Sequence, residues 1–312
     1  MTAAAIRVAV CSRSFSKNAV LRAELLARYS TVTFNDRGAS LEGDALVEFL
    51  RGHDRAIVAL ERITSAVLDQ LPELRVISKY GVGLDGLDTA ALAARGVRLG
   101  WTAGVNRRSV AEVALAFAIS LVHGLDRGGR QVRAGTWQQI VGRQLTGRTV
   151  GIVGFGHVGA EVATLLQPLA CTLLAHDLVE RPAAAALGVS YVGLDELLTR
   201  SELVTVHLPL DASTHGLLSR VRLAQMAPGA WLVNTARGGI VDEDAVRDML
   251  TDGRLGGAAF DVFASEPPSD RALLEHPAFI VTPHLGGSAL EAVIAMGRAA
   301  IAGLDEPAAV TP

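Results

Sequence analysis

The stretch TVGIVGFGHVGAEVA, residues 149–163, sets Gly154, Gly156 and Gly159 in a G-x-G-x-x-G spacing, directly after an apolar β-type run and directly before an apolar helical run. The glycines alone would carry little weight, but a strand, a tight turn and a helix in that order are what a dinucleotide site requires. Gly154 permits the turn, Gly156 lets a pyrophosphate approach backbone N–H groups, and Gly159 lets helix and strand pack closely. The helix N-terminus then stabilises the phosphate charge. Eighteen residues beyond Gly159, at the end of the run TLLAHD, stands Asp177. An acid there accepts hydrogen bonds from both adenosine-ribose hydroxyls and repels a 2′-phosphate, so NAD is expected rather than NADP. His157, inside the same loop, reads as a solvated residue near the phosphates.

Strand-like and helix-like segments alternate almost throughout, which argues for parallel sheets covered by helices. With 312 residues, half of them apolar, two domains are expected rather than one core. The first series has a strand at 7–11, helices at 19–29 and 43–51, and the strand RAIVAL. It continues through a helix at 65–71 and the strand LRVISKY to the helix TAALAARG, capped by Asp88 and stopped by Gly96. An apolar helix at 109–124 and a loop, GLDRGGRQVRAGTW, lead to a second series of strands: RTVGIVG, CTLLAHD, VSYV, LVTVHLP, AWLVNTA, GAAFDV and FIVTP. A final helix over 289–302 is long enough to return to the first domain. The expected fold is α/β, with two doubly wound parallel-sheet domains. Residues 1–100 plus 286–312 form one, and residues 101–285 form the NAD-binding one.

A formal charge of −3 leaves no basic footprint for nucleic acid. Cys11 and Cys171 lie far apart in apolar runs, the pattern of reduced core thiols in a cytoplasmic protein. The start, MTAAAIRVAVCSRS, has neither a basic n-region nor a long apolar h-region and reads as a first strand. The helix near 110–125 contains Glu112, Ser120 and His123 and falls short of a membrane span. No membrane contact and no metal site are expected.

In doubly wound sheets, ligands sit beyond the carboxyl ends of strands. Three charged or titratable residues fall there. Arg237 follows the strand that ends Asn234-Thr235-Ala236, and its planar fork of donors suits a carboxylate or a ketone oxygen. Glu266 comes five residues after the strand-ending Asp261, in a loop stiffened by two prolines. His284 sits in VTPHLGG, eighteen residues after Glu266. Singly these are a surface ion pair, a loop acid and a turn residue. Together they supply an anion anchor, an imidazole, and a carboxylate to orient it.

The fingerprint, VNTARGGIVDEDA, AAFDVFASEPP and VTPHLGGS resemble the D-isomer-specific 2-hydroxyacid dehydrogenase family, in particular its phosphoglycerate dehydrogenase-like members. The resemblance spans essentially the whole chain, including YGVGLDGLD and NRRSVAEVAL. It implies a flavodoxin-like substrate domain that closes on an NAD domain. It also implies that Arg237 binds the substrate's carboxylate and carbonyl, that His284 is the general acid/base, and that Glu266 holds the imidazole. Along the cofactor it places Asp261 at the nicotinamide end, the segments His207-Leu208-Pro209 and Thr235-Ala236-Arg237, and Thr102, Val158, Thr214, Gly286 and Gly287. A homodimer through the cofactor domain is implied as well, and the apolar helix near 110–122 is compatible with such an interface. The sequence ends at Pro312, so the regulatory extension of long phosphoglycerate dehydrogenases, and serine feedback through it, are not expected. Gly86 stands where many relatives carry Asn, and Ala227 where Lys or Pro is common.

Among 27 arginines there are two lysines, Lys17 and Lys79. Lys79 ends the strand LRVISK before a glycine turn. The resemblance implies that the turn's Val82 and Gly83 amides bind the substrate carboxylate, with a basic side chain at Lys79 adding a contact to a small anionic substrate. As a point charge Lys79 would suit a phosphate or phosphonate equally, so a phosphonate hydroxy acid or phosphite is a second substrate class. An NAD-sensing interaction protein, like the C-terminal-binding corepressors, is a third reading, disfavoured by the lack of a long disordered tail.

Overall fold

The computed structural model describes residues 5–308 and residue 310. The chain divides into two units, Met1–Asn106 with Ala289–Pro312, and Arg107–Ser288. In the first, β1 (Arg7–Val10), β2 (Thr31–Phe34), β3 (Arg55–Val58), β4 (Val76–Lys79) and β5 (Arg98–Gly100) alternate with α1 (Arg13–Lys17), α2 (Ala19–Leu26), α3 (Gly43–Leu50), α4 (Ser65–Leu68) and α5 (Thr89–Ala94). All strand pairs are parallel, in the order β2-β1-β3-β4-β5. That is the flavodoxin-like order. β1, β3 and β4 are nearly continuous buried runs because helices cover both faces of the sheet. Asn18, Thr64 and Asp88 start their helices by accepting backbone N–H bonds.

Three elements here were not anticipated. β2 is an edge strand with an exposed and half-exposed pattern, and β5 has only three residues, so neither shows a buried run. α1 is a single short helix held by Ser12, whose Oγ accepts from Phe15 N at 3.3 Å.

The second unit begins with α6 (Arg107–His123) and α7 (Leu125–Arg133). Its seven strands are β6 (Thr149–Val153), β7 (Thr172–His176), β8 (Val189–Tyr191), β9 (Leu203–Val206), β10 (Ala230–Asn234), β11 (Leu255–Phe260) and β12 (Phe279–Val281). Between them lie α8 (His157–Leu166), α9 (Ala183–Ala186), α10 (Leu194–Arg200), α11 (Arg220–Leu223), α12 (Glu243–Thr251) and α13 (Arg271–Leu274). The order β12-β11-β10-β9-β6-β7-β8 is doubly wound, and it reverses between β6 and β9. Two apolar clusters cover its faces, one with α10 and α12, the other with α6 and α8.

α7 is a helix where the sequence reads as a loop. It buries none of its residues, so it has no core-facing stripe to betray it; an Asp126–Arg130 pair at 2.6 Å spans one turn. Among the described residues no single helix is long and apolar enough to cross a membrane.

The last helix, α14 (Leu290–Asp305), packs on β3, β4 and β5 of the first unit. Its approach is close enough to exclude side chains. A Cβ on Gly100 would lie 2.2 Å from the Gly303 carbonyl oxygen, and one on Gly303 would lie 2.6 Å from Ser78 Oγ. Ser78 Oγ itself donates to the Ala300 carbonyl at 2.6 Å. We expect Gly303→Val to lift this helix from the sheet and lower stability by about 1–3 kcal/mol, as overpacking does. Urea unfolding checks this, and a midpoint equal to wild type would show that the contact yields freely.

Candidate active site and cofactor cradle

All strands of the second sheet run in one direction, so the segments named from the sequence emerge at one edge. The Gly154 loop follows β6, Asp177 follows β7, His207 follows β9, Arg237 follows β10, Asp261 follows β11 and His284 follows β12. Each glycine of the fingerprint has a separate task. A Cβ on Gly154 would meet the His207 carbonyl group at 2.8 Å, and one on Gly159 would meet the Gly154 oxygen at 2.1 Å. A Cβ on Gly156 would meet nothing within 4 Å, so this glycine borders open space.

α8 begins at Gly156, and the first amide to bond back within it is Ala160, on the Gly156 carbonyl. The amides of His157, Val158 and Gly159 are therefore the helix's own unpaired donors. His157 is exposed, as a solvated residue at the mouth of this turn would be. Asp177 is half-buried; Oδ2 accepts from Phe155 N at 2.7 Å and Oδ1 from Val179 N at 3.4 Å. A carboxylate has about four acceptor sites, which leaves room for ribose hydroxyls. Open space at Gly156, orphan amides and an acid on the loop together fit NAD.

His284 Nδ1 lies 2.8 Å from Glu266 Oε2, and both side chains are partly exposed, at 44% and 39%. The other oxygen, Glu266 Oε1, accepts from Phe263 N at 3.1 Å, which locks the carboxylate's direction. His284 has φ of +52°, a left-handed conformation that costs a non-glycine residue energy and persists only where neighbours enforce it. The enforcing group is Asp261, 1% exposed. Its Oδ1 accepts from Leu285 N at 2.8 Å and from Thr282 Oγ1 at 2.5 Å, and its Oδ2 accepts from Gly286 N at 2.8 Å. The His284 amide also donates to the Asp261 carbonyl at 2.9 Å.

Arg237 stands at the end of a turn shaped by Asn234, which is 1% exposed. Asn234 Oδ1 accepts from Ala236 N at 3.1 Å, and its Nδ2 donates to the Arg237 carbonyl at 3.1 Å. The Arg237 guanidinium donates from Nη1 to the Ala236 carbonyl at 2.7 Å. The next residue, Gly238, touches the Glu266 loop so closely that a Cβ would fall 1.8 Å from the Phe263 carbonyl carbon. Backbone contact thus couples the arginine turn to the glutamate loop.

His207 sits between Thr205 Oγ1, 2.8 Å from Nε2, and Thr235 Oγ1, 3.5 Å from Nδ1. Burial pushes its pKa down to about 3, so it is neutral and takes no part in proton traffic near pH 7. The Thr214 hydroxyl is spent on its own turn, donating to Pro209 O at 2.7 Å and accepting from Asp211 N at 2.8 Å. Leu208, Pro209 and Ala236 lie on the loops after β9 and β10, and Gly286 and Gly287 on the loop after β12.

Lys79, Val82, Gly83 and Thr102 belong to the first unit. Lys79 is 7% exposed, and its Nζ donates to the Ala59 carbonyl, so it is not a solvated lysine beside a turn. Trp101 Nε1 donates to the Val82 carbonyl at 3.0 Å and so braces the glycine turn. Thr102 is exposed.

Two residues with positioning tasks were missed from the sequence. Asn234 carried a signal, since Asn side chains commonly bond a backbone N–H two residues on. Asp261 was read as a cofactor contact. Its work as anchor of the 282–286 loop depends on β11 lying beside β12, which the sequence does not display. We expect Asp261→Ala to leave three donors, one buried and two half-buried, without their acceptor and to cost about 2 kcal/mol or more of stability. Asp261→Asn, which keeps one acceptor oxygen, should fall between the two in urea unfolding. Unchanged midpoints in both would remove the anchoring role.

Comparison with known proteins agrees with this arrangement. Residues 115–286 match the model of the D-isomer specific 2-hydroxyacid dehydrogenase NAD-binding domain. The chain is 40% identical over 233 residues to D-3-phosphoglycerate dehydrogenase of Mycobacterium tuberculosis, covering 74% of this chain and 44% of that protein. It is 34% identical over 260 residues to hydroxypyruvate reductase of Thermotoga maritima, covering 81% and 84%. The crystal structure of a D-isomer specific 2-hydroxyacid dehydrogenase from Polaromonas sp. JS6 66 superposes with a TM-score of 0.88 at 29% identity, covering 96% of each chain. The chain spans less than half the length of the phosphoglycerate dehydrogenase it matches. With its doubly wound sheet, its glycine loop and these matches, the chain belongs to the D-isomer specific 2-hydroxyacid dehydrogenase family and carries that family's NAD-binding domain.

Proposed function

We propose that the protein interconverts a small D-2-hydroxy acid and its 2-keto acid, with NAD as the hydride carrier and Arg237, Glu266 and His284 as the working side chains. The observation that carries this reading is the 2.8 Å contact of His284 Nδ1 with Glu266 Oε2. It leaves Nε2 as the ring atom free to exchange a proton with substrate. The reduced cofactor, when bound, supplies a hydride to the carbonyl carbon. Protonated His284 gives its Nε2 proton to the carbonyl oxygen as negative charge develops there. Glu266 holds the ring's orientation through its contact with Nδ1. Arg237 pairs with the substrate carboxylate and polarises the carbonyl. In oxidation neutral His284 removes the hydroxyl proton.

Relatives named D-3-phosphoglycerate dehydrogenase and hydroxypyruvate reductase support a substrate of this class, with a 3-phosphoglycerate-like acid as first candidate. We assign its recognition to the Val82 and Gly83 amides and the buried charge of Lys79. We also place the protein in a reducing compartment, the cytoplasm, as two free thiols, Cys11 and Cys171, would favour.

A homodimer through the cofactor unit is the assembly we propose. Its support is a run of exposed apolar side chains on α7 and the segment after it: Leu125, Val132, Trp137 at 88% and Val141 at 97% exposure. Isolated large apolar residues are ordinary on a surface, but four within one short segment of one unit make a patch suited to a second copy.

Three outcomes test these assignments. His284→Ala should lower kcat by about 10²–10⁴-fold, the span of a lost general acid, while leaving NADH binding by fluorescence titration nearly unchanged. Loss of NADH binding in a folded variant would make the histidine structural. Because reduction of the keto acid consumes a proton and oxidation releases one, reduction should fall as pH rises and oxidation as pH drops; two flat profiles between about pH 5 and 10 would contradict an acid–base step. Trp137→Asp with Val141→Asp should shift the mass measured by light scattering from two chains to one.

A further inference from the structure

The first unit carries a cluster of arginines that the dehydrogenase chemistry does not use. Arg7, Arg55, Arg75 and Arg98 stand at the amino ends of β1, β3, β4 and β5, four consecutive strands of the sheet. Backbone hydrogen bonds join the starts of these strands into one row: Asp54 N donates to Arg7 O at 2.9 Å, Arg75 N to Asp54 O at 2.8 Å, and Arg98 N to Arg75 O at 2.9 Å. Arg55 and Arg98 share the register of Val8 and Val76, while Arg7 and Arg75, one residue earlier, alternate to the other face. At an interstrand spacing of about 4.8 Å, the row spans about 14 Å. All four arginines and Asp54 line one cavity of about 480 Å³. That is the size range of small-molecule sites.

Charge in this cavity is poorly balanced. Arg7 lies 3.8 Å from Asp54, a long contact, and Arg55 lies 3.1 Å from Asp305. Among the described residues neither Arg75 nor Arg98 has a carboxylate partner. By contrast, Arg247 contacts Asp244, Asp248 and Asp270. Two of the cavity arginines are also fixed in place. Arg55 donates to Tyr29 Oη at 2.8 Å and to the Leu304 carbonyl, and Arg98 donates to the Pro307 carbonyl. Their side-chain entropy is already spent, which favours capture of a ligand.

We propose that this cavity binds a small phosphate-bearing anion. Four arginines lining one space, two from each face of the sheet, suit a doubly charged group with three acceptor oxygens, since a guanidinium gives charge-assisted, geometrically defined bonds. The site lies at the opposite end of β4 from Lys79 and the Val82–Gly83 turn, so it is a second anion site on the same sheet.

Titration calorimetry with inorganic phosphate, at ionic strength held constant with chloride, tests the proposal. Wild-type protein and Arg237→Ala should both show saturable binding at this site, which separates it from phosphate held at the dehydrogenase centre. Arg75→Gln with Arg98→Gln should weaken binding about tenfold or more, with kcat in phosphate-free buffer unchanged. Arg75→Gln alone, at an exposed side chain with no carboxylate to release, should weaken it several-fold. Identical titrations for wild type and both variants, loss of binding in Arg237→Ala, or no saturable binding by wild type at matched ionic strength, would overturn the assignment.

Discussion

A parallel sheet delivers every one of its strands to the same edge, and the chemistry of this protein depends on that constraint. β6, β7, β9, β10, β11 and β12 are separated by helices and long stretches of chain, yet their exits converge. The reversal of strand order between β6 and β9 sends the flanking crossovers to opposite faces and opens a crevice between them. The glycine loop enters it from β6 and His207 from β9. Arg237, Asp261 and His284 follow at successive strand ends. No local preference of the chain could bring these groups together.

Within that frame, precision comes from acceptor side chains that bind the backbone, two of them buried. Asp261 gathers two amides and a hydroxyl from the 282–286 loop and holds His284 in a left-handed conformation. Glu266 divides its two oxygens between a backbone amide of its own loop and the imidazole, so the ring's orientation is inherited from the backbone. Asn234 does the same for the turn that carries Arg237. Each of these side chains acts through another residue, and each costs little because the charge or amide it satisfies would otherwise be left unpaired.

The sequence was readable where one local pattern had one physical cause. The glycine fingerprint, Asp88 as a helix cap, and the buried runs of β3, β4, β9 and β10 all belong to that class. Reading failed where burial supplied no pattern. β2 and β5 lie at sheet edges or are too short to alternate, α1 is a five-residue helix, and α7 turns no face to a core. Lys79 was singled out by composition, yet its burial beneath the Ala59 carbonyl was not legible, because Ala59 opens the loop after the neighbouring strand, 20 positions away.

What the sequence by itself determined is the set of local chemistries: a turn that only glycines can make, a helix start that favours phosphate, an acid after the next strand, and an arginine, a glutamate and a histidine in the loops that follow apolar runs. What only the tertiary structure decided is their register. The 2.8 Å between Glu266 and His284, the anchoring by Asp261 and the row of arginines at the far edge of the first sheet all arise between strands. Strand pairing is set by long-range packing of both sheet faces, and no window of sequence carries that information.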